Sequence, residues 1–183
     1  RSKSYISILE DEIEKFDVEL WKKDLEDDII KFSSISGLLG REEFEKRDDK
    51  LHKLRDLIKT HNEKILIFSE SAVTVKYIYR YLHKEFPEKK IEHIDSKQET
   101  GKKNEFVKRF DPKNNDAKIS KDQELQILIS TDVLSEGVNL HAGKIVINYD
   151  FHWNPVKLIQ RVGRVDRIGS EHEFIEIFNF LPT

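Results

Sequence analysis

The chain has 183 residues, 37% apolar and 37% charged, with a formal net charge of -3. That length and balance suit one well-buried domain plus an appendage, and no apolar run approaches the length of a membrane span. There are no cysteines, which excludes disulfides and thiolate metal sites. The opening Arg1-Ser2-Lys3-Ser4-Tyr5 has no signal-peptide pattern, and a cytoplasmic, intracellular location is expected. Because it begins without Met, the chain is expected to be a fragment or a processed form. The acidic excess lies in residues 1–60, whereas residues 61–183 are balanced, so any anion-binding site must be local.

From Ile8 to Phe32 apolar residues recur every three to five positions (Leu9, Ile13, Phe16, Leu20, Leu25, Ile29), which predicts one long amphipathic helix with an acidic opposite face. Ser33-Ser34-Ile35-Ser36-Gly37 is expected to break it, and a second helix is expected from Glu42 to Lys59 on Phe44, Leu51, Leu54 and Ile58. Asp11-Glu12-Ile13-Glu14 looks like a magnesium-holding acidic box. Its period is helical, however, and no Gly-x-x-x-x-Gly-Lys-Ser/Thr loop accompanies it, so it reads as a solvated helix face.

Beyond Asn62, short apolar runs alternate with helical stretches. Ile65 to Phe68, Ile91 to Ile94, Leu125 to Ile129, Lys144 to Asn148 and Glu173 to Phe180 read as strands. Ser69-Glu70-Ser71 opens a helix carrying Val75, Ile78 and Leu82, and another passes through Phe106, Val107 and Phe110. Strands apolar throughout and separated by helices imply a parallel sheet covered on both faces. In such sheets ligands sit at the carboxyl edge of the strands, which selects Ser69-Glu70, Ser130-Thr131-Asp132 and Tyr149-Asp150.

Asn154-Pro155 then signals a helix start and Gly169 a stop, for a helix of about three to four turns. On it Gln160, Arg164 and Arg167 share one face, while Leu158, Val162 and Val165 share another that can pack inward. Two fork-shaped, permanently charged guanidinium groups on one face suit phosphate oxygens, and Gly163 beside them leaves room for a close neighbour. The seven histidines show no metal-ligand pairing.

Ser130-Thr131-Asp132 with Glu136-Gly137-Val138-Asn139-Leu140, then Trp153-Asn154-Pro155, then Gln160 to Gly169, together resemble the second RecA-like lobe of superfamily II helicase-like ATPases. The first of these looks like motif V, the last like motif VI, and Lys64 to Ser69 like motif IV. Asp150, Trp153-Asn154-Pro155 and Arg167-Ile168-Gly169 are similar to the Swi/Snf-type branch and its bacterial relatives, which move along duplex DNA; Gly163 and Asp166 depart from that branch.

The resemblance implies an α/β, RecA-like three-layer sandwich with a mainly parallel sheet over residues 61–183, preceded by a helical arm over residues 1–60. It implies ATP and Mg2+ shared with an N-terminal lobe of the same protein, with no metal ligand expected in the present sequence. Arg164 and Arg167 would be arginine fingers to that ATP, and Gln160, Gly137 and Asn139 would couple the nucleotide to the nucleic-acid side. Ser69, Ser130 and Thr131 would grip the nucleic-acid backbone, and Lys97, Lys102 and Lys103 would supply a basic loop beside it. The implied whole is an ATP-driven translocase on duplex DNA, and this lobe alone is expected to hydrolyse no ATP. An RNA helicase lobe, or a RecA-like lobe kept as a scaffold or protein-binding module, are the alternatives.

Overall fold

The computed structural model describes residues 17–38, 41–135, 138, 140–166 and 172–181. The chain divides into two compact units, Arg1–Asp49 and Lys50–Thr183.

In the first unit, helix α1 (Val18–Leu38) starts where the Asp17 carboxylate accepts the Leu20 N–H at 3.0 Å. Its apolar residues stay exposed, Trp21 at 65% and Phe32 at 71%. The helix does not break at Ser33 to Gly37 but runs on to Leu38. Three serines and one glycine each cost a helix no more than about 1 kcal/mol, too little to stop one already propagating. The predicted start at Ile8 and the acidic run at residues 11–14 lie outside the described residues. The single helix expected from Glu42 to Lys59 is instead two, α2 (Arg41–Arg47) and α3 (Asp49–Lys59), parted at Asp48. Asp favours caps over helix interiors, and Asp48-Asp49 supplies the interruption.

In the second unit α3 turns Leu51, Leu54 and Ile58, all 0% exposed, into the core around the sheet. The boundary expected at residue 60 therefore falls about one helix later than the division between the compact units. Deleting a buried leucine side chain to Cβ costs about 2–5 kcal/mol. Leu54→Ala should lower the unfolding free energy of a protein cut at residue 50 by that amount in urea denaturation; no change would place α3 outside the lobe.

The sheet comprises β1 (Ile65–Phe68), β2 (Ile91–Ile94), β3 (Ile127–Ser130), β4 (Ile145–Asn148) and β5 (Glu176–Asn179), in the order β2-β3-β1-β4-β5 with every pairing parallel. The strands match the predicted runs, except that β3 starts two residues later and takes in Ser130, β4 starts one residue later and β5 is trimmed at both ends. Side chains alternate between two cores, as the strand period of two requires. Ile65, Ile67, Ile127, Ile129, Ile145 and Ile147 meet α3 and helix α4 (Ala72–Glu85) on one face. Leu66, Phe68, Leu128 and Val146 meet Phe106, Val107 and Phe110 of helix α5 (Thr100–Phe110), with Leu140 and Val165, on the other.

The caps follow the predicted signals. Ser71 Oγ accepts the Val73 and Thr74 N–H groups at 3.2 and 3.4 Å to open α4. Asn154 Oδ1 accepts the Val156 N–H at 3.0 Å, with Pro155 in the first turn, to open helix α6 (Pro155–Val162). That helix is shorter than expected, eight residues capped at Gly163 rather than running to Gly169. A Cβ at position 163 would lie 3.2 Å from the Ile159 carbonyl oxygen, so this glycine spares its own helix.

Candidate functional site

Parallel pairing brings the carboxyl ends of β1, β3 and β4 side by side, so that Phe68 stands opposite both Ser130 and Asn148. The residues that follow these strands form one connected polar edge. Asp150 is its first node: its carboxylate accepts the Ser69 hydroxyl, the Glu70 N–H at 3.3 Å and the Lys50 ammonium at 3.3 Å. Lys50 also lies 4.2 Å from the centre of the Tyr149 ring, a cation–π contact that keeps its charge at this edge.

The second node is Arg161, which no signal in the sequence singles out. Its side chain is 1% exposed and every nitrogen finds an acceptor. Nε and Nη2 fork onto the two Asp132 carboxylate oxygens at 2.7 and 3.2 Å, while Nη1 donates to Asn148 Oδ1 at 3.1 Å and to the Asp150 carbonyl at 3.3 Å. The guanidinium carbon sits 5.4 Å from the centre of the Phe68 ring. An unpaired ion in this position would cost several kcal/mol, so full pairing is what makes its burial tolerable. Burial pushes the Asp132 carboxyl up, but hydrogen bonding and attraction from Arg161, with Lys157 at 3.6 Å, outweigh it and hold the group below its ordinary value.

The structure disposes the predicted residues unequally. Ser69 and Ser130 are fully buried, and their hydroxyls are already committed, to Asp150 and to the Thr131 carbonyl at 2.7 Å. Thr131, 8% exposed, sits at the end of β3 with its N–H on the Ile94 carbonyl at 3.2 Å. Lys97 and Lys102 are exposed, and Lys103 places its ammonium 3.5 Å from the Ser96 carbonyl. All three surround the end of β2, where the Lys76 ammonium, 2.9 Å from the buried Asp95, and the Lys97 N–H hold that carboxyl below its ordinary value.

Gln160 is exposed on the last turn of α6. Leu158 and Val162 do not close into the core; with Ile159, Ile177, Asn148 and Asn179 they line an open groove of about 410 Å³. Val165 does pack inward, at 0% exposure. Arg164 is braced through its backbone, its N–H on the Arg161 carbonyl and its carbonyl under the Leu140 N–H, each at 3.2 Å. Its Nε is buried and has no hydrogen-bond partner among the described residues. Gly137, Asn139 and Arg167 lie outside the described residues.

The family described as "Helicase conserved C-terminal domain" matches residues 49–169. The chain belongs to this family. It is 32% identical over 148 residues to "Uncharacterized ATP-dependent helicase YqhH" of Bacillus subtilis (strain 168), covering 80% of this chain and 24% of that protein. It is 31% identical to "ATP-dependent RNA helicase dbp2" of Aspergillus clavatus, covering 74% and 23%. The chain thus spans about a quarter of the length of these curated relatives. The solved C-terminal part of the Fun30 ATPase domain superposes with a TM-score of 0.61 at 22% identity, covering 73% of this chain and 40% of that one, a likeness of fold. The helicase C-terminal domain seen here is accordingly a RecA-like lobe, and no helix among its described residues is long and apolar enough to cross a membrane.

Proposed function

We propose that this helicase C-terminal domain is the second motor lobe of an ATP-driven translocase acting on duplex DNA, closing onto ATP and Mg2+ held by an N-terminal lobe of the same protein. The observation that carries the reading is Arg164, a braced arginine with a buried Nε that finds no acceptor within the described lobe. A guanidinium with no acceptor for its Nε keeps its charge uncompensated there, and the phosphates of a nucleotide on a facing lobe are anions that its terminal nitrogens can take. Arg167 acts beside it, and Gln160, Gly137 and Asn139 link that site to the nucleic-acid side.

On the nucleic-acid side, Thr131, Lys97, Lys102 and Lys103 approach the phosphate backbone, and Ser69 and Ser130 join only by exchanging their internal acceptors for phosphate oxygens. Trp153, 86% exposed and stacked on His152 with ring centres 5.6 Å apart, adds an aromatic surface at the same edge. The sequence Asp150 to Pro155 favours duplex DNA, whereas the 31% identity to an RNA helicase favours RNA.

The two-lobed protein decides between them when its ATP turnover is measured with duplex DNA, single-stranded DNA and RNA. Duplex DNA is expected to stimulate most, with affinity that falls steeply as salt rises and drops when Lys97, Lys102 and Lys103 are all changed to Glu. Stimulation by RNA alone would transfer the lobe to the RNA helicases, and no stimulation by any of the three would make it a scaffold.

A further inference from the structure

We propose that the apolar stripe of α1 is a self-association surface, on which α1 of a second copy of this protein packs antiparallel. The inference concerns the first compact unit alone and is independent of the reading of the arginine helix.

Val18, Trp21, Leu25, Asp28, Phe32 and Ile35 recur at alternating spacings of three and four along α1, the a and d positions of a heptad seam. The apolar members are all exposed, from 41% at Val18 to 71% at Phe32. At the rise of a helix the seam is roughly 25 Å long. A continuous apolar stripe of that length, carrying two aromatic rings in water, marks an interaction face rather than scattered surface residues.

Charge selects both the occupant and its direction. Parallel pairing in register would set Asp28 against Asp28 of the second copy, two like charges in one layer of the seam. Antiparallel pairing sets Val18 on the second copy's Ile35, Trp21 on its Phe32 and Leu25 on its Asp28, so that ring meets ring in two symmetric layers. Each Asp28 carboxylate is then held at the edge of the seam by its own Lys31, 3.4 Å away. A polar residue at one seam position costs stability and fixes the register.

Beside the seam, Asp24 and Lys31 stand at the g positions, which face each other across an antiparallel pair. Asp24 of each copy thus meets Lys31 of the other, twice per dimer by symmetry. Asp24 has no ion pair of its own among the described residues, and Lys31 holds Asp28 through an exposed contact that is easily shared. On the opposite flank Lys22 and Ile29 stand at e positions, where the lysine stem covers the isoleucine of the other copy. A partner of different sequence would have to present aromatic rings and opposite charges at these same spacings, and a second α1 does so.

The test is the mass of the two-lobed protein by sedimentation equilibrium at micromolar concentrations, a readout separate from ATP turnover. A dimer is expected. Trp21→Ala, which removes both ring layers, is expected to weaken it by about 100-fold or more with the helix content in circular dichroism unchanged. Asp24→Lys and Lys31→Asp each set like charges across both g contacts and are expected to weaken association by about 10-fold. Combined, the two substitutions restore opposite charges and are expected to recover the dissociation constant of the parent. A monomer at every concentration would overturn the proposal and assign the stripe to another surface of the same protein. A dimer unmoved by Trp21→Ala would place the interface elsewhere, and failure of the combined substitution to rescue would remove the antiparallel register.

Discussion

In the two-lobed protein, Arg164→Ala is expected to reduce nucleic-acid-stimulated ATP turnover by about 10³- to 10⁵-fold, the range found where a transition-state arginine is removed from phosphoryl transfer. Charge spreads over the equatorial oxygens of the transferring group as the bond to the leaving oxygen lengthens, and a fixed guanidinium stabilises that charge without solvent reorganisation. Arg164 is suited to this on two counts: its backbone is held at both N–H and carbonyl, and its Nε is buried without an acceptor among the described residues. Arg164→Lys should recover little, since an ammonium cannot reproduce the planar fork. Nucleic-acid binding should persist, because the residues proposed for it lie at the carboxyl ends of β1, β2 and β3 and in the first turn of α5, not on the arginine helix. Arg167→Ala is expected to behave in the same way. Turnover measured by phosphate release at saturating duplex DNA is the readout, and an unchanged rate in a folded Arg164→Ala protein would remove the role.

A second large effect concerns stability. Arg161→Met alone leaves Asp132 charged beside apolar neighbours and deprives Asn148 Oδ1 and the Asp150 carbonyl of their donor. Breaking a buried ion pair from one side costs roughly 3–5 kcal/mol, and the lower end is expected here because Asp132 keeps 27% side-chain exposure and can draw on water and Lys157. Chemical denaturation of the protein with and without the substitution measures the loss. The loss should shrink at low pH: a carboxyl whose folded-state pKa lies below its ordinary 3.8 adds stability above that value and forfeits it as the pH falls through the folded-state pKa. Destabilisation below about 1 kcal/mol at neutral pH, the size of an exposed pair, would mean that the guanidinium is hydrated in solution.

Arg161 also marks where reading the chain falls short. It lies three residues after Leu158 and four before Val165, so the helical period itself places it on the inward stripe. Charge argues the other way, since arginine is almost never fully buried unless paired, and nothing in the order of residues announces a partner 29 positions upstream. Asn148, a polar residue closing an otherwise apolar strand, was the remaining hint. For Ser69 and Ser130, position at the strand ends was legible but availability was not, because the acceptor of Ser69 is Asp150, remote in sequence, and that of Ser130 is the adjoining Thr131 carbonyl, brought into reach by the backbone turn after β3. In α3 the spacing of Leu51, Leu54 and Ile58 predicts a helix with one buried face, yet an amphipathic period does not say what that face meets.

What the sequence determined by itself was the succession of elements and the family: five apolar runs between helical stretches, caps at Ser71 and Asn154-Pro155, and motifs in a fixed order. Those features rest on local physics, the apolar content of a strand buried on both faces and the orphan N–H groups at a helix start, and local physics is written along the chain. The tertiary structure alone decided which helix joins the lobe, that Gly163 ends the arginine helix, and that Arg161 is bound to Asp132. Each of these depends on groups remote in sequence or on the space around a backbone atom, quantities that exist only once the sheet has brought the ends of its strands together.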